Sequence, residues 1–161
     1  GSAAVILPDG LTVAALVVVN AVGDVINPVT GQVVAGVRTE DGRGLADARI
    51  LLRGGGGRPG RPGENTTIGV VATDAQLTQA QATVMAQMAH DGFARALAPS
   101  HTPSDGDAIF ALATGRRTVP ANLSTIGALA ADVMAEAIVR AARAAVGIPG
   151  YPAARDLRVS P

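Results

Sequence analysis

Eight consecutive residues, Thr12 to Val19, read Thr-Val-Ala-Ala-Leu-Val-Val-Val, with no charge and no glycine among them. The run is rich in β-branched residues and far too short to span a membrane. It predicts a strand buried on both faces. Such a strand needs a covering layer on each side, and no other feature of the chain restricts its fold as much. Two further runs share this character: Thr66 to Thr73 (Thr-Thr-Ile-Gly-Val-Val-Ala-Thr) and Ala108 to Ala113 (Ala-Ile-Phe-Ala-Leu-Ala). Both predict strands of the same kind. A shorter strand is expected around Val25-Ile26, ended by Asn27-Pro28.

The covering elements are legible from helical spacing. Thr78 with Gln81 three residues on forms a capping box. The helix that follows should run to about Leu97, with Val84, Met85, Met88, Ala89, Phe93, Ala96 and Leu97 on one face. Gly92 costs about 1 kcal/mol against alanine in a helix interior, so a close approach is expected there. Asn122 or Ser124 starts a second long helix, with a stripe of Ile126, Leu129, Ala130, Val133, Met134, Ala137, Ile138 and Ala141. Glu136 and Arg140 form a favourable i, i+4 pair on it. Gly147 and Pro149 are expected to stop it. Residues 30 to 49 read as loop with an apolar patch at Val33-Val34, and Ile50-Leu51-Leu52 suits either a helix end or a short strand. The order of elements predicts one fold of the α/β class, of α+β type, with a mixed sheet covered by helices.

Gly54 to Gly63 contains six glycines and two prolines. This is a connector that holds neither a helix nor a central strand. It lacks the Gly-Lys-Ser/Thr ending of a phosphate-binding loop. The connector runs into Gly63-Glu64-Asn65-Thr66, where a soft segment meets a stiff strand. An N-terminal threonine can act as a nucleophile with its own α-amine as base. Thr66 gains that amine only if the Asn65–Thr66 bond is cut. By itself, a threonine opening a strand is ordinary.

Composition removes several function classes. The 161 residues carry 13 basic and 13 acidic groups, and 2% are aromatic. Neither an electrostatic footprint nor a stacking platform for nucleic acid is present. There is no cysteine, which excludes disulfides, thiolate catalysis and cysteine-ligated metal. His90 and His101 have no second histidine at ligand spacing, so no metal site is expected. No apolar run reaches the roughly 18 residues of a membrane span, and the start lacks a signal-peptide pattern. A cytoplasmic protein with no membrane contact is the expectation.

Two further features are candidates for chemistry. Asp105-Gly106-Asp107 places two carboxylates two residues apart before a strand. If Asp107 opens that strand, both side chains leave the backbone on the same side. Paired carboxylates can share a proton or steady a neighbouring ammonium group, although a solvated turn has the same composition. Asn20 ends the first long strand, where its side-chain amide is either a donor to a developing oxyanion or a plain strand terminator.

In order along the chain stand Asn20 in Val-Val-Val-Asn-Ala-Val-Gly, Thr66 in Asn-Thr-Thr-Ile-Gly-Val-Val-Ala-Thr, Ala89-His90-Asp91-Gly92, and Asp105-Gly106-Asp107 followed by Ile109-Phe110-Ala111-Leu112-Ala113-Thr114-Gly115. This set resembles the self-processing N-terminal-nucleophile hydrolases of the L-aminopeptidase/D-esterase family, which includes β-aminopeptidases and endo-type nylon-oligomer hydrolases. The Asn-Thr junction is closer to the nylon-oligomer branch, since the aminopeptidase branch has Gly-Ser there. The resemblance implies a four-layer αββα sandwich, present here in part. It implies cleavage between Asn65 and Thr66. Residues 1–65, with a connector at about 53–65, would end the α subunit, and 66–161 would form the β subunit. Thr66 would be the nucleophile, Asn20 an oxyanion-side residue, and Asp105 and Asp107 the groups that position the nucleophile and its amine.

The family has a substantial region ahead of the segment seen here at Gly1-Ser2-Ala3, and in the nylon-oligomer branch that region carries an active-site lysine. No lysine stands at such a place here, so the chain is expected to be the C-terminal part of a longer precursor. The implied activity is amide hydrolysis of small peptides or amino-acid amides, with no cofactor and no metal, by a homo-oligomer of processed α/β heterodimers. An acyltransferase of the ornithine acetyltransferase kind, which also uses a self-generated threonine, is the enzymatic alternative. A non-catalytic truncated subunit is the structural one.

Overall fold

The computed structural model describes residues 1–56, 65–117 and 122–157. Residues 57–64, most of the predicted connector, lie outside them. The first strands are β1 (Ser2–Ile6) and β2 (Thr12–Val18). They form a hairpin in which Leu7 N donates to Leu11 O at 2.8 Å. Asp9 Oδ1 accepts from Leu11 N, and Gly10 takes the left-handed φ of 87° that the turn needs. β1 has no counterpart in the sequence expectations. β5 (Ile68–Ala75) pairs antiparallel with β2, and β7 (Ala108–Arg117) pairs parallel with β5, giving a sheet of order β1-β2-β5-β7.

A parallel pair needs a crossover connection. Here the crossover contains α2 (Gln79–Ala96), which opens on the expected capping box: Gln81 N donates to Thr78 Oγ1, and Thr78 N donates to Gln81 Oε1. Asn122 rather than Ser124 caps α3 (Leu123–Ala144), its Oδ1 accepting from Ser124 N and Thr125 N. Both helices lie on the same face of the sheet. Val13, Ala15, Val17 and Val71 point into that layer and meet Met85, Phe93, Ile126, Met134 and Ile138, all buried. Gly92 marks the helix–helix contact as expected: a β-carbon there would stand 2.6 Å from Ala131 O and 2.7 Å from Met134 Cβ.

The long strands, expected to need a layer on each face, are covered on one face only in this chain. β2 alternates, with Val13 and Val17 buried while Leu16 is 60% and Val18 71% exposed. β7 is open in the same way, with Phe110 60% and Leu112 57% exposed. The helices cover one face only. On the other face Leu16, Val70 and Phe110 stand in register across three strands, with Val18 and Ile68 beside them. The result is a contiguous apolar surface.

A second, smaller sheet has the order β4-β3-β6 and consists of β3 (Asp24–Ile26), β4 (Val33–Ala35) and β6 (Leu97–Ala98). Val33-Val34, expected in a loop, form β4. β6 begins where α2 stops, because Pro99 disfavours a helical Ala98 and Leu97 turns extended to pair with Val25. Ile50-Leu51-Leu52 resolve as helix, in α1 (Ala48–Arg53). The buried carboxylate of Asp24 holds this region together, accepting from Val37 N at 2.7 Å and Ala48 N at 2.6 Å. Burial pushes the Asp24 carboxyl above the usual carboxylate range, against the pull of those two amides.

Gly147 does not end α3 as a left-handed residue. The cap is Ala145, and Gly147 lies against Asp156, whose Oδ2 is 2.3 Å from where a β-carbon would stand. Among the described residues, no helix is long and apolar enough to cross a membrane.

Candidate active site

Three chain segments meet just before the parallel pair of β5 and β7 begins. Asn65 and Asp105 form a parallel bridge, Gly106 N donates to Asn65 O at 3.0 Å, and Ala108 N donates to Thr67 O at 3.1 Å. The third segment leaves β2: Asn20 O accepts from Thr66 N at 2.8 Å. Thr66 is thus fixed on both sides by backbone hydrogen bonds. The same sheet order that gives β5 a parallel neighbour brings Asp105-Gly106-Asp107 beside it.

The hydroxyl of Thr66 donates to Asn65 O at 2.7 Å. That carbonyl belongs to the peptide bond linking Asn65 to Thr66. Its oxygen therefore receives two donors, the Thr66 hydroxyl and the Gly106 amide. A carbonyl held by a preorganised N–H is polarised toward negative oxygen. The Thr66 hydroxyl thus sits at the peptide bond that precedes it, engaged with its oxygen.

The two aspartates have different environments. Asp107 reaches one residue past Thr66, with Oδ1 accepting from Thr67 N at 2.9 Å. Its side chain is only 6% exposed, and Oδ2 stands 3.4 Å from His101 Nδ1. Asp105 turns back on its own loop, where Oδ2 accepts from Thr102 N at 2.9 Å and Thr102 Oγ1 at 2.8 Å. So the structure brings Asn20, Asn65, Thr66 and Asp107 into one hydrogen-bonded unit, while Asp105 shapes the loop that carries Asp107.

Two residues of this region were not singled out by sequence reasoning. Gly106 lies opposite Thr66, and a β-carbon on it would stand 2.7 Å from Thr66 Oγ1. The signal was present in Asp-Gly-Asp, whose glycine is the residue between the two candidates. His101 was considered only as a metal ligand. It is the one non-glycine residue with positive φ among those described, at 55°, and its ring packs against Phe93 and His90. Burial holds the His90 imidazole below the usual histidine range; a charge on His101 adds to this, and Asp107 and Asp91 oppose it. Among the described residues, no group of three or more His, Cys, Asp or Glu side chains is arranged to hold a metal.

Comparison with known proteins places this fold and its site in a family. Residues 1–155 match the model of peptidase family S58, and the chain belongs to that family. An uncharacterized aminopeptidase of Mycobacterium tuberculosis is 38% identical over 177 residues, covering 98% of this chain and 51% of the relative. A 6-aminohexanoate-oligomer endohydrolase of Kocuria sp. is 30% identical over 90 residues, covering 49% of this chain and 25% of the relative.

Among solved structures, the β-aminopeptidase of Burkholderia sp. superposes with a TM-score of 0.53 at 28% identity, covering 88% of this chain and 40% of that one. The L-aminopeptidase D-Ala-esterase/amidase of Ochrobactrum anthropi, described as a variant of the Ntn hydrolase fold, superposes with a TM-score of 0.58 at 24% identity, covering 94% and 41%. The fold is thus of the L-aminopeptidase/D-esterase type, as the sequence resemblance implied. The chain spans about half the length of the curated mycobacterial relatives it matches.

Proposed function

We propose that this chain carries the nucleophile of an autoprocessing amide hydrolase, released by cleavage between Asn65 and Thr66. The observation that supports this most directly is the 2.7 Å contact of Thr66 Oγ1 with Asn65 O, an oxygen that also accepts from Gly106 N. In the processing step, Thr66 Oγ1 attacks the Asn65 carbonyl carbon and the Gly106 amide holds the oxyanion. The C–N bond breaks as Thr66 N takes up a proton, leaving an ester between Asn65 and the threonine side chain. Water hydrolyses that ester, giving a carboxylate on Asn65 and a free amine on Thr66. A backbone carbonyl already faces that nitrogen, from Asn20 at 2.8 Å.

In the mature enzyme, Thr66 Oγ1 attacks the carbonyl of a small peptide or amino-acid amide. The α-amine takes the hydroxyl proton and passes it to the leaving amine, and water then releases the acyl group. Asn20 contributes to the oxyanion site. Asp107, bound to Thr67 N, holds the start of β5, and Asp105 holds the loop. No cofactor takes part. The bare apolar face of the sheet is covered in the complete protein by further layers, completing a four-layer sandwich, and processed pairs assemble as homo-oligomers.

The test is intact-mass analysis of the full-length protein and its Thr66→Ala variant, with turnover of an aminoacyl p-nitroanilide in the presence and absence of an acceptor amine. The expected result is a small subunit beginning Thr-Thr-Ile-Gly, and an uncut, inactive variant. Any other start, or a cut in Thr66→Ala, refutes the assignment. Acyl transfer to the amine in place of hydrolysis identifies a transferase instead.

A further inference from the structure

Both oxygens of Asp107 have a polar neighbour. Oδ1 takes the Thr67 amide at 2.9 Å, and Oδ2 faces His101 Nδ1 at 3.4 Å. The other nitrogen of the same ring, Nε2, stands 3.4 Å from His90 O. The ring is also packed on two sides. It stacks on Phe93 at an interplanar angle of 22° and a centroid distance of 5.9 Å, and it meets the His90 ring edge-on at 4.9 Å. Phe93 is fully buried in the core of α2, so one wall of this slot is rigid.

His101 adopts a left-handed backbone, φ 55°, a conformation uncommon for a residue with a side chain. That cost is tolerated where the surrounding structure determines it, as at a site whose side chain must point one way. A histidine inserted between an aromatic slot and a nearly buried carboxylate has two attachments, and only one of them is packing.

We propose that His101 is a positioning residue for the hydrolytic site, holding the Asp107 carboxylate so that its second oxygen fixes the Thr67 amide and, through it, the strand start that carries Thr66. The inference rests on Thr66 being the nucleophile. Without His101, Asp107 loses the partner of Oδ2 and is free to rotate about its χ angles, and the hold on Thr67 N loosens. The damage falls on the alignment of Thr66 Oγ1, not on substrate binding. It therefore appears in self-cleavage and in kcat, with KM little changed.

Two substitutions separate the attachments, both made in the full-length protein. His101→Phe keeps a ring in the aromatic slot and removes Nδ1. His101→Asn loses the ring, keeps a donor beside Asp107, and suits a positive φ. The expected result is that His101→Phe cleaves itself more slowly and turns over an aminoacyl anilide about tenfold more slowly, the loss of one polar contact to a charged group. KM should stay within about twofold, and His101→Asn should retain most of both rates. In an Asp107→Asn background, His101→Phe should add little, because the two residues act as one unit.

Wild-type rates in His101→Phe overturn the proposal. So does an equal loss in Phe and Asn, which assigns His101 to packing, or losses that multiply with Asp107→Asn. Thermal midpoints of all variants are measured alongside, and the double variant decides the matter if His101→Phe is also less stable. A Thr66→Ala protein that still turns over substrate refutes the nucleophile itself. Dependence on Thr66 with an unimpaired His101→Phe refutes only the role of His101.

Discussion

The Thr66 hydroxyl and the α-carbon of Gly106 lie so close that a β-carbon on residue 106 would stand 2.7 Å from Oγ1. Gly106 has no left-handed φ, so its need for glycine comes from space and not from the backbone. Gly106→Ala therefore tests the site with little cost to the fold. The cheapest response is rotation of the Thr66 side chain away from Asn65 O. Misplacement of a reacting atom by about 1 Å can cost on the order of 100-fold in rate. Self-cleavage of Gly106→Ala, followed by intact mass, should be slowed by about that factor, with a thermal midpoint near that of the wild type. Unimpaired cleavage shows that the hydroxyl does not act from this position.

A second glycine tests the fold. In α2, alanine at position 92 gains about 1 kcal/mol of helix propensity over glycine. Against this, its β-carbon meets Ala131 O at 2.6 Å, Met134 Cβ at 2.7 Å and Ala135 N at 3.1 Å. Two of these three atoms belong to the α3 backbone and cannot rotate aside, so the helices must separate. Overpacking of this kind costs about 1–3 kcal/mol and more than offsets the propensity gain when the core is tight. Gly92→Ala should lower the urea midpoint, and a raised midpoint shows that the α2–α3 contact is looser than described.

What was legible from the sequence follows from which interactions are local. The capping box at Thr78 and Gln81, the stripes of α2 and α3 and the apolar character of β2, β5 and β7 depend on residues a few positions apart. All three kinds of element form in those places, although β5 begins only at Ile68 and β7 runs on through Thr114-Gly115 to Arg117. β1 was missed because Ser-Ala-Ala-Val-Ile has no alternation of its own and becomes a strand only by pairing with β2. β6 was missed because two residues are too few to show any period.

Burial was legible only in part, for a different reason. A strand apolar throughout announces that both faces suit a core, but not which face is covered, and α2 and α3 supply one layer only. In the site, Asn65, Thr66 and the Asp105–Asp107 pair were legible as motifs. Their adjacency is a product of the parallel β5–β7 register, forty residues apart, which no local pattern encodes. His101 was illegible for the same reason: a lone loop histidine gains meaning only from Asp107 and Phe93 beside it.

The histidine of α2 carries a prediction about pH. Burial holds the His90 imidazole below its usual value; a charge on His101 lowers it further, and Asp107 and Asp91 pull it back up. A depressed folded-state value means that the neutral ring is favoured on folding. The resulting stability is fully present above the unfolded value of about 6.5 and is lost as pH falls through the folded value. Asp24, held above its usual value by burial, works in the opposite direction at lower pH. The urea midpoint of the wild type should therefore fall between pH 7.5 and pH 5.5, and His90→Gln should show a smaller fall over the same interval. Equal slopes assign the acid sensitivity elsewhere.

The last prediction concerns residues 1–161 expressed alone. The face of the sheet away from the helices exposes Leu16, Val18, Ile68, Phe110 and Leu112 at between 47% and 71%. Covering a large aliphatic or aromatic side chain contributes about 1.5–3 kcal/mol. Five of them on one face form a patch that a monomer in water does not leave bare without consequence. Two identical faces can bury one another, so the isolated chain should self-associate on size exclusion. Introducing a charge at the centre, as in Phe110→Glu, should shift it toward monomer, because the side chain points away from the helical layer and leaves the core intact. The same chain should remain uncut over days and hydrolyse an aminoacyl anilide poorly. While Asn65 stays joined to Thr66, the nitrogen that would serve as base is an amide. A monomer that converts cleanly into two fragments with steady turnover would show that the apolar face needs no cover and that residues 1–161 suffice for the chemistry.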